Sequence, residues 1–237
     1  MTSARGRWRA MVPPAWVVRA RRFRAVAASR HEEWLAEGLG SGRGGEVLVR
    51  PIRREDAEAW MRAMRANHDR MGRWWSLGSD PERVADRIAF EEHLRQWTLR
   101  LRRGTGACLA LVGPAGLIGE LHLWHLRRGG RTCEIGLWLA PDQPREVTRG
   151  AAAGLGFVFD RLFDVLDLGR IDAPVAVANP LPRPFLRLGG FAHDATIPQW
   201  REVQGELVDY DLFGLTAQRW AAARPGAWRT MGPWQAL

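Results

Sequence analysis

Two carboxylates and a histidine stand where proton transfer could be arranged. Over Leu117–Leu126 apolar and polar positions alternate, so Glu120, His122 and Trp124 share one face of a strand and Leu117, Leu121 and Leu123 the other. Glu134 lies in the following apolar run, Thr132–Ala140. An isolated carboxylate on such a strand has its pKa raised by desolvation, toward the range a general base uses; on a half-exposed strand it is simply a surface charge. If Trp124 faces Glu134 across the intervening turn, the two glutamates lie together. A one-residue slip sets them on opposite faces, and the sequence is compatible with both. Trp74 and Trp75, beside Arg73, are adjacent aromatics that would wall a pocket or fill a core. The six histidines show no metal-ligand spacing, so no metal is expected. Cys108 and Cys133 match neither a metal motif nor a disulfide framework and read as small core residues.

These candidates need a scaffold, and the chain carries the signals for one. Val47, Val49 and Pro51 alternate with other residues over 46–52, as a strand does. After Arg53-Arg54-Glu55-Asp56 a helix is expected, with acids in its first turn and Ala57, Trp60, Met61 and Met64 at helical spacing. Ser79-Asp80-Pro81-Glu82 predicts the start of a second helix, buried through Val84, Ile88, Leu94, Trp97 and Leu101. Three strands follow: Ala107–Val112, closed by the turn Gly113-Pro114-Ala115-Gly116, then Leu117–Leu126 and Thr132–Ala140. Residues 149–166 read as a helix, Arg170–Ala178 as a strand, Leu181–Leu188 as a short helix and Val208–Leu215 as a last strand. This order predicts a mixed α/β layer, a mostly antiparallel central sheet flanked by helices.

A chain of 237 residues, 46% hydrophobic, suits one domain with an added arm. No run approaches the ~20 apolar residues of a membrane helix. Pro13, Pro14 and the arginines of Arg19–Arg24 interrupt any signal-peptide core, and the sparse cysteines fit a reducing cytoplasm. All 35 basic residues are arginine, a bias that accords with a GC-rich genome. Residues 1–45 hold nine Arg against three Glu, a net +6, leaving +3 of the total +9 for residues 46–237. The segment 1–45 therefore reads as an Arg-rich arm ending in the flexible linker Gly38–Gly45, with the folded domain over 46–220 and a tail over 221–237. Arginine suits bidentate phosphate contact, so the arm could meet RNA or a ribosome; a solvated tail is the simpler reading.

Several short stretches follow one another in a familiar register. They are Val49-Arg50-Pro51-Ile52 with Asp56, Ile118-Gly119-Glu120, Glu134-Ile135-Gly136-Leu137-Trp138-Leu139-Ala140-Pro141, and Phe163 through Leu168-Gly169-Arg170-Ile171. Asn179, Gly190-Phe191 and Gly205-Glu206-Leu207-Val208-Asp209 complete them. From Glu46 to about Trp220 the chain resembles the RimJ/RimL branch of the GNAT superfamily of N-acetyltransferases. The resemblance implies a GNAT fold whose central strand, here Glu134–Ala140, splays from its neighbour. Its free backbone groups would hold the pantetheine arm of acetyl-CoA, with Leu137, Trp138 and Leu139 facing the cofactor, much as a peptide adds to a sheet edge. The family's phosphate loop, Gln/Arg-x-x-Gly-x-Gly/Ala, falls on Arg145-Glu146-Val147-Thr148-Arg149-Gly150, with Thr148 at the first glycine position. Thr148 could cap the helix instead, and Arg145 or Arg149 could meet phosphate through a side chain.

The resemblance also assigns roles. Glu134 occupies the place of a general base in several such enzymes, with Glu120 and His122 as rivals, and Asn179 matches a cofactor-contacting asparagine. A serine that would reprotonate the departing thiolate is replaced by Pro182, which has no proton to give. Tyr210, the chain's only tyrosine, could substitute, or be a buried core residue. Trp74 and Trp75 fall at the family's substrate edge. The implied reaction is direct attack of a neutral amine, on a protein N-terminus or a small molecule, on the acetyl thioester, in a cytoplasmic monomer or homodimer. Thr148 and Pro182 support the other reading, a catalytically degenerate domain acting as an acyl-CoA-binding or a protein- or RNA-interaction module.

Overall fold

In a computed structural model, which describes residues 35, 36, 39–71, 74, 85–127, 129–231 and 234–236, the alternating stretches become strands of one sheet. They are β1 (Gly42–Gly44), β2 (Val47–Pro51), β3 (Ala107–Gly113), β4 (Gly116–Arg127), β5 (Thr132–Leu139), β6 (Arg170–Ala176), β7 (Ala192–Val203), β8 (Glu206–Thr216) and β9 (Trp234–Ala236). Their spatial order is β7-β8-β6-β5-β4-β3-β2-β1-β9. The longer helices are α1 (Ala57–Ala66), α2 (Arg87–Arg102), α3 (Arg145–Asp160), α4 (Pro182–Leu188) and α5 (Ala217–Met231). Neighbouring strands run antiparallel except β5 and β6. A parallel pair needs a crossover, and α3 supplies it, so the start of α3 follows directly on the end of β5.

The sheet buries both faces. On one, Val49, Leu109, Leu121 and Leu123 pack under Leu155, Val158 and Phe159 of α3. On the other, Ala110, Leu117 and Trp138 pack with Trp60, Met61 and Met64 of α1 and Phe90 of α2. The β3–β4 register shifts between Leu111 and Val112, and this bulge breaks the simple alternation. Leu117 consequently joins the α1–α2 side and Ile118 the α3 side, where unbroken alternation had put Leu117 with Leu121. The entry to α1 is held by a buried ion pair: the Arg50 guanidinium donates to both Asp56 oxygens at 2.8 and 2.7 Å, and Arg53 N donates to Asp56 at 2.8 Å.

Several boundaries differ from the sequence reading. Asp86 caps α2 by accepting from Ala89 N at 2.7 Å; Trp97 is buried as expected and Leu94 and Leu101 pack partly buried, but Ile88 is 73% exposed and Phe90 takes its place in the stripe. The start signal at 79–82 lies outside the described residues. Helix α3 begins at Arg145, after Pro144, and ends in a π-helical turn, Arg161–Val165. Strand β7 carries Pro198 and two register shifts and is largely exposed, so it shows no alternation to read. The stretch read as a linker contributes β1, which pairs with both β2 and β9, and Leu35 and Leu39 bury completely in the α3-side core. Part of the expected tail likewise belongs to α5 and β9. The fold thus extends past 46–220 at both ends.

Candidate active site

Strands β5 and β6 pair at only three positions, Thr132–Arg170, Cys133–Ile171 and Glu134–Asp172. Both then continue along separate lines. β5 stays on β4 as far as Leu139–Gly119, while β6 stays on β8 as far as Ala176–Tyr210. The opening between them leads into a cleft of about 1060 Å³, with Ile135–Leu139 on one wall and Ala173–Ala176 on the other. From Ile135 onward the facing edge of β5 has no strand partner, so its alternate N–H and C=O groups are open to a ligand, except the Leu139 carbonyl, which accepts from Asn67 Nδ2 at 2.8 Å. Thr148 of α3, Asn179 and Pro182 line the same cleft.

The register of β4 on β5 decides which side chains meet. Trp124 pairs directly with Glu134, His122 with Gly136 and Glu120 with Trp138, so all of these lie on the α1–α2 side. Glu120 is completely buried, yet three donors surround it. His93 of α2 meets Oε1 at 3.0 Å, and His122 and the Trp138 indole N–H meet Oε2 at 2.9 and 3.0 Å. Burial alone would raise the Glu120 pKa; the charge of His93 and hydrogen bonds from both histidines outweigh it and hold the carboxyl well below its usual range. Burial lowers the His122 pKa, against a partly compensating hydrogen bond to Glu120. Trp97, His122 and Trp124 pack ring against ring, with centroids 4.5 to 5.8 Å apart, and all three line the cleft.

Glu134 is not isolated. Arg201 of β7 donates to both of its oxygens, at 2.9 and 2.8 Å. The same guanidinium lies 4.3 Å over the Trp200 ring and 5.6 Å from the Tyr210 ring. Tyr210 is half-buried at the cleft, not a core residue. Burial raises its pKa, the Arg201 charge lowers it and Glu134 raises it, with a net shift upward.

A splayed parallel pair beside a crossover helix, facing a broad cleft, is the geometry that the sequence motifs anticipate. The profile of the acetyltransferase (GNAT) domain family matches residues 46–191, well over half of the chain. The chain is a GNAT acetyltransferase. Solved structures similar to it include Mycobacterium smegmatis RimJ in complex with CoA-disulfide, at TM-score 0.73 and 24% identity, covering 84% of this chain and 99% of that one. A RimL ribosomal L7/L12 alpha-N-protein acetyltransferase in complex with coenzyme A aligns at TM-score 0.63 and 15% identity, over 72% and 94%. Spermidine N-acetyltransferase from Vibrio cholerae, in complex with CoA and spermine, aligns at 0.59 and 18%, over 74% and 98%. No curated protein matches the chain. These likenesses share the fold, and the family match makes acetyl-CoA the co-substrate and an amine the acceptor.

Within this GNAT enzyme the cofactor-side expectations divide. Leu137 and Leu139 are partly buried and line the cleft, whereas the Trp138 side chain anchors in the α1–α2 core through Glu120. The Trp138 backbone pairs with Glu120 across β4–β5, so the free-edge groups belong to Ile135, Leu137 and Leu139. Asn179 lines the cleft with its Oδ1 accepting from Leu181 N at 3.3 Å. Thr148 lies within the first turn of α3, not at its cap, and its Oγ donates to the Pro144 carbonyl at 3.2 Å. Gly150 turns toward the sheet, away from the cleft: a Cβ there would sit 2.5 Å from the Gly44 carbonyl oxygen, so close packing on β1 accounts for that glycine. Arg145 and Arg149 are exposed and do not line the cleft. Trp74 lines the cleft, while Trp75 lies outside the described residues.

Two residues of the site escaped the sequence reading. Arg201 sits on the strand that shows no alternation. His93 sits on α2 three residues after Phe90 and four before Trp97, a polar residue on the buried stripe, and that placement was the available signal.

Proposed function

We propose that this GNAT enzyme acetylates a protein or peptide N-terminal amine, with acetyl-CoA held along the free edge of β5. The observation that carries this reading is the parting of β5 and β6 after Glu134 and Asp172. Pantetheine amides can complete the hydrogen bonding that the sheet leaves open, as an added strand would. A thioester at the end of that arm comes to the side lined by Trp97, His122 and Trp124, where an acceptor can approach across open cleft. The first N–H groups of α3 have no partner inside the helix and favour negative charge, which suits pyrophosphate without the glycine nest.

Attack by the amine nitrogen breaks the carbon–sulfur bond and releases coenzyme A thiolate. Tyr210 is the acid suited to reprotonate it, because its phenol lines the cleft and is protonated at neutral pH. Glu134 supports this role indirectly, by fixing Arg201 against the Tyr210 ring. The two free thiols and the Arg-rich residues 1–45 support a cytoplasmic setting in which that segment meets RNA or the ribosome.

The reading is tested by incubating the protein with acetyl-CoA and an alanine-initiated hexapeptide, with spermidine in a parallel reaction. Thiol release with an acetyl group on the peptide's α-amine is expected. Acetylation of spermidine alone would move the acceptor to small-molecule amines, and no transfer to either would remove the proposal.

A further inference from the structure

His93 is placed as a base rather than as core filling. Its Nε2 meets the Glu120 carboxylate at 3.0 Å, and a carboxylate held ionised can only accept, so Nε2 carries the hydrogen. In the neutral ring the lone pair therefore lies on Nδ1. That atom makes no hydrogen bond among the described residues and is not one of the enclosed, unpartnered polar atoms, and His93 lines the cleft. His122 makes the corresponding contact with the other oxygen of Glu120, but its Nδ1 is enclosed, so an acceptor cannot reach it. The Trp60 ring, with its centroid 5.2 Å away, fixes the plane of His93 from α1. Opposite His122, β5 carries Gly136, so no β5 side chain stands between this histidine pair and the free strand edge that begins at Ile135.

Resting on the acetyl-transfer reading, we propose that His93 is the catalytic base that deprotonates the acceptor amine, with Glu120 as the residue that positions it. An acceptor arriving as an ammonium ion gives one proton to His93 Nδ1. The neutral nitrogen attacks the thioester carbonyl, the N–C bond forms and the C–S bond breaks. The nitrogen's second proton leaves as the thiolate is protonated, and His93 returns its own proton to solvent. The net products are the amide, coenzyme A as thiol and one proton.

His93→Gln keeps a donor to Glu120 and removes the lone pair. Against the parent, with acetyl-CoA and whichever of the alanine-initiated hexapeptide or spermidine the parent acetylates, kcat should fall by about 10²–10⁴-fold. The KM for acetyl-CoA and the melting curve should stay as in the parent. Hydrazine, already largely neutral at pH 8.5, should lose far less, because its attack needs no prior deprotonation. A His93→Gln enzyme within about threefold of the parent on the ordinary amine would overturn the assignment while leaving acetyl transfer standing. A parent that transfers acetyl to none of these acceptors would instead remove the underlying reading, and the base with it. A measurement independent of any acceptor is the nitrogen-15 spectrum of histidine-labelled parent protein. It should show His93 as the neutral Nε2–H tautomer at pH 8, and a neutral ring with its hydrogen on Nδ1, or a doubly protonated ring, would refute the proposal.

Discussion

At the scale of single residues, the partner of a carboxylate decides its chemistry more than its position does. Glu134 sits where a base is anticipated, but both of its oxygens are engaged by Arg201, whose side chain is about a third exposed. Its service is to hold a guanidinium, so Glu134→Gln should lower turnover by less than about tenfold, against the ~10²–10⁴ that loss of a general base costs. Because the pair is partly solvated, denaturant melts should show a loss of no more than about 1 kcal/mol. Measuring both quantities on one preparation separates the roles. A fall of a thousandfold in kcat would restore Glu134 as the base.

The buried histidine gives a second residue-scale expectation, with a definite sign. The folded-state pKa of His122 lies below its unfolded value, so below about pH 6.5 the unfolded chain binds the extra proton more readily. The stability it contributes is present above that pH and is lost as pH falls toward the folded-state value. Glu120, also depressed, adds a loss of the same sign below the ordinary carboxylate range of ~4.3. Urea melts between pH 7.5 and 5.5 should therefore show stability falling with acid, with His122 contributing at most about 1.4 kcal/mol per pH unit. His122→Gln, which keeps a donor to Glu120, should flatten that slope; an unchanged slope would show that His122 does not resist protonation.

At the scale of elements, what could be read from sequence is what a local period encodes. The helical spacing of Ala57, Trp60, Met61 and Met64 gave the buried face of α1, and the alternation of Glu120, His122 and Trp124 correctly put them on one face. Whether Glu134 joined them depended on pairing across the β4–β5 turn, where the register shifts between Trp124 and Arg127, and no local pattern reports that. The ion pair from Glu134 to Arg201 spans 67 residues of chain, beyond any periodic signal. Gly150 shows the opposite failure: a motif match suggested a phosphate-facing glycine, while packing explains it better. Alanine there should gain a little helix propensity but place its Cβ 2.5 Å from the Gly44 carbonyl oxygen and 2.9 Å from Val47. Overpacking should win, at about 1–3 kcal/mol of stability. Acetyl-CoA affinity per folded molecule should hardly change, and a tenfold loss of affinity without a loss of stability would return Gly150 to the phosphate site.

At the scale of the whole molecule, the sheet is continuous on paper but nearly parted at β5–β6, where three residue pairs join the β1–β5 side to the β6–β8 side. A ligand laid along the parting adds hydrogen bonds that the protein alone does not make, and it binds only the folded state. At 100 times its dissociation constant, acetyl-CoA should then raise the unfolding free energy by about 2.7 kcal/mol. The same shift would accompany binding anywhere on the molecule, so its location has to be read separately. Hydrogen exchange gives that reading. In Ile135–Leu139 the amides turned toward β4 are already paired, while the alternate ones face the cleft. Saturating acetyl-CoA should slow exchange at the cleft-facing amides of Ile135–Leu139, leaving β3 and the β4-facing amides of β5 as they were. Stabilisation without this alternating protection would mean that the cofactor lies elsewhere and that the parting of β5 from β6 is not its seat.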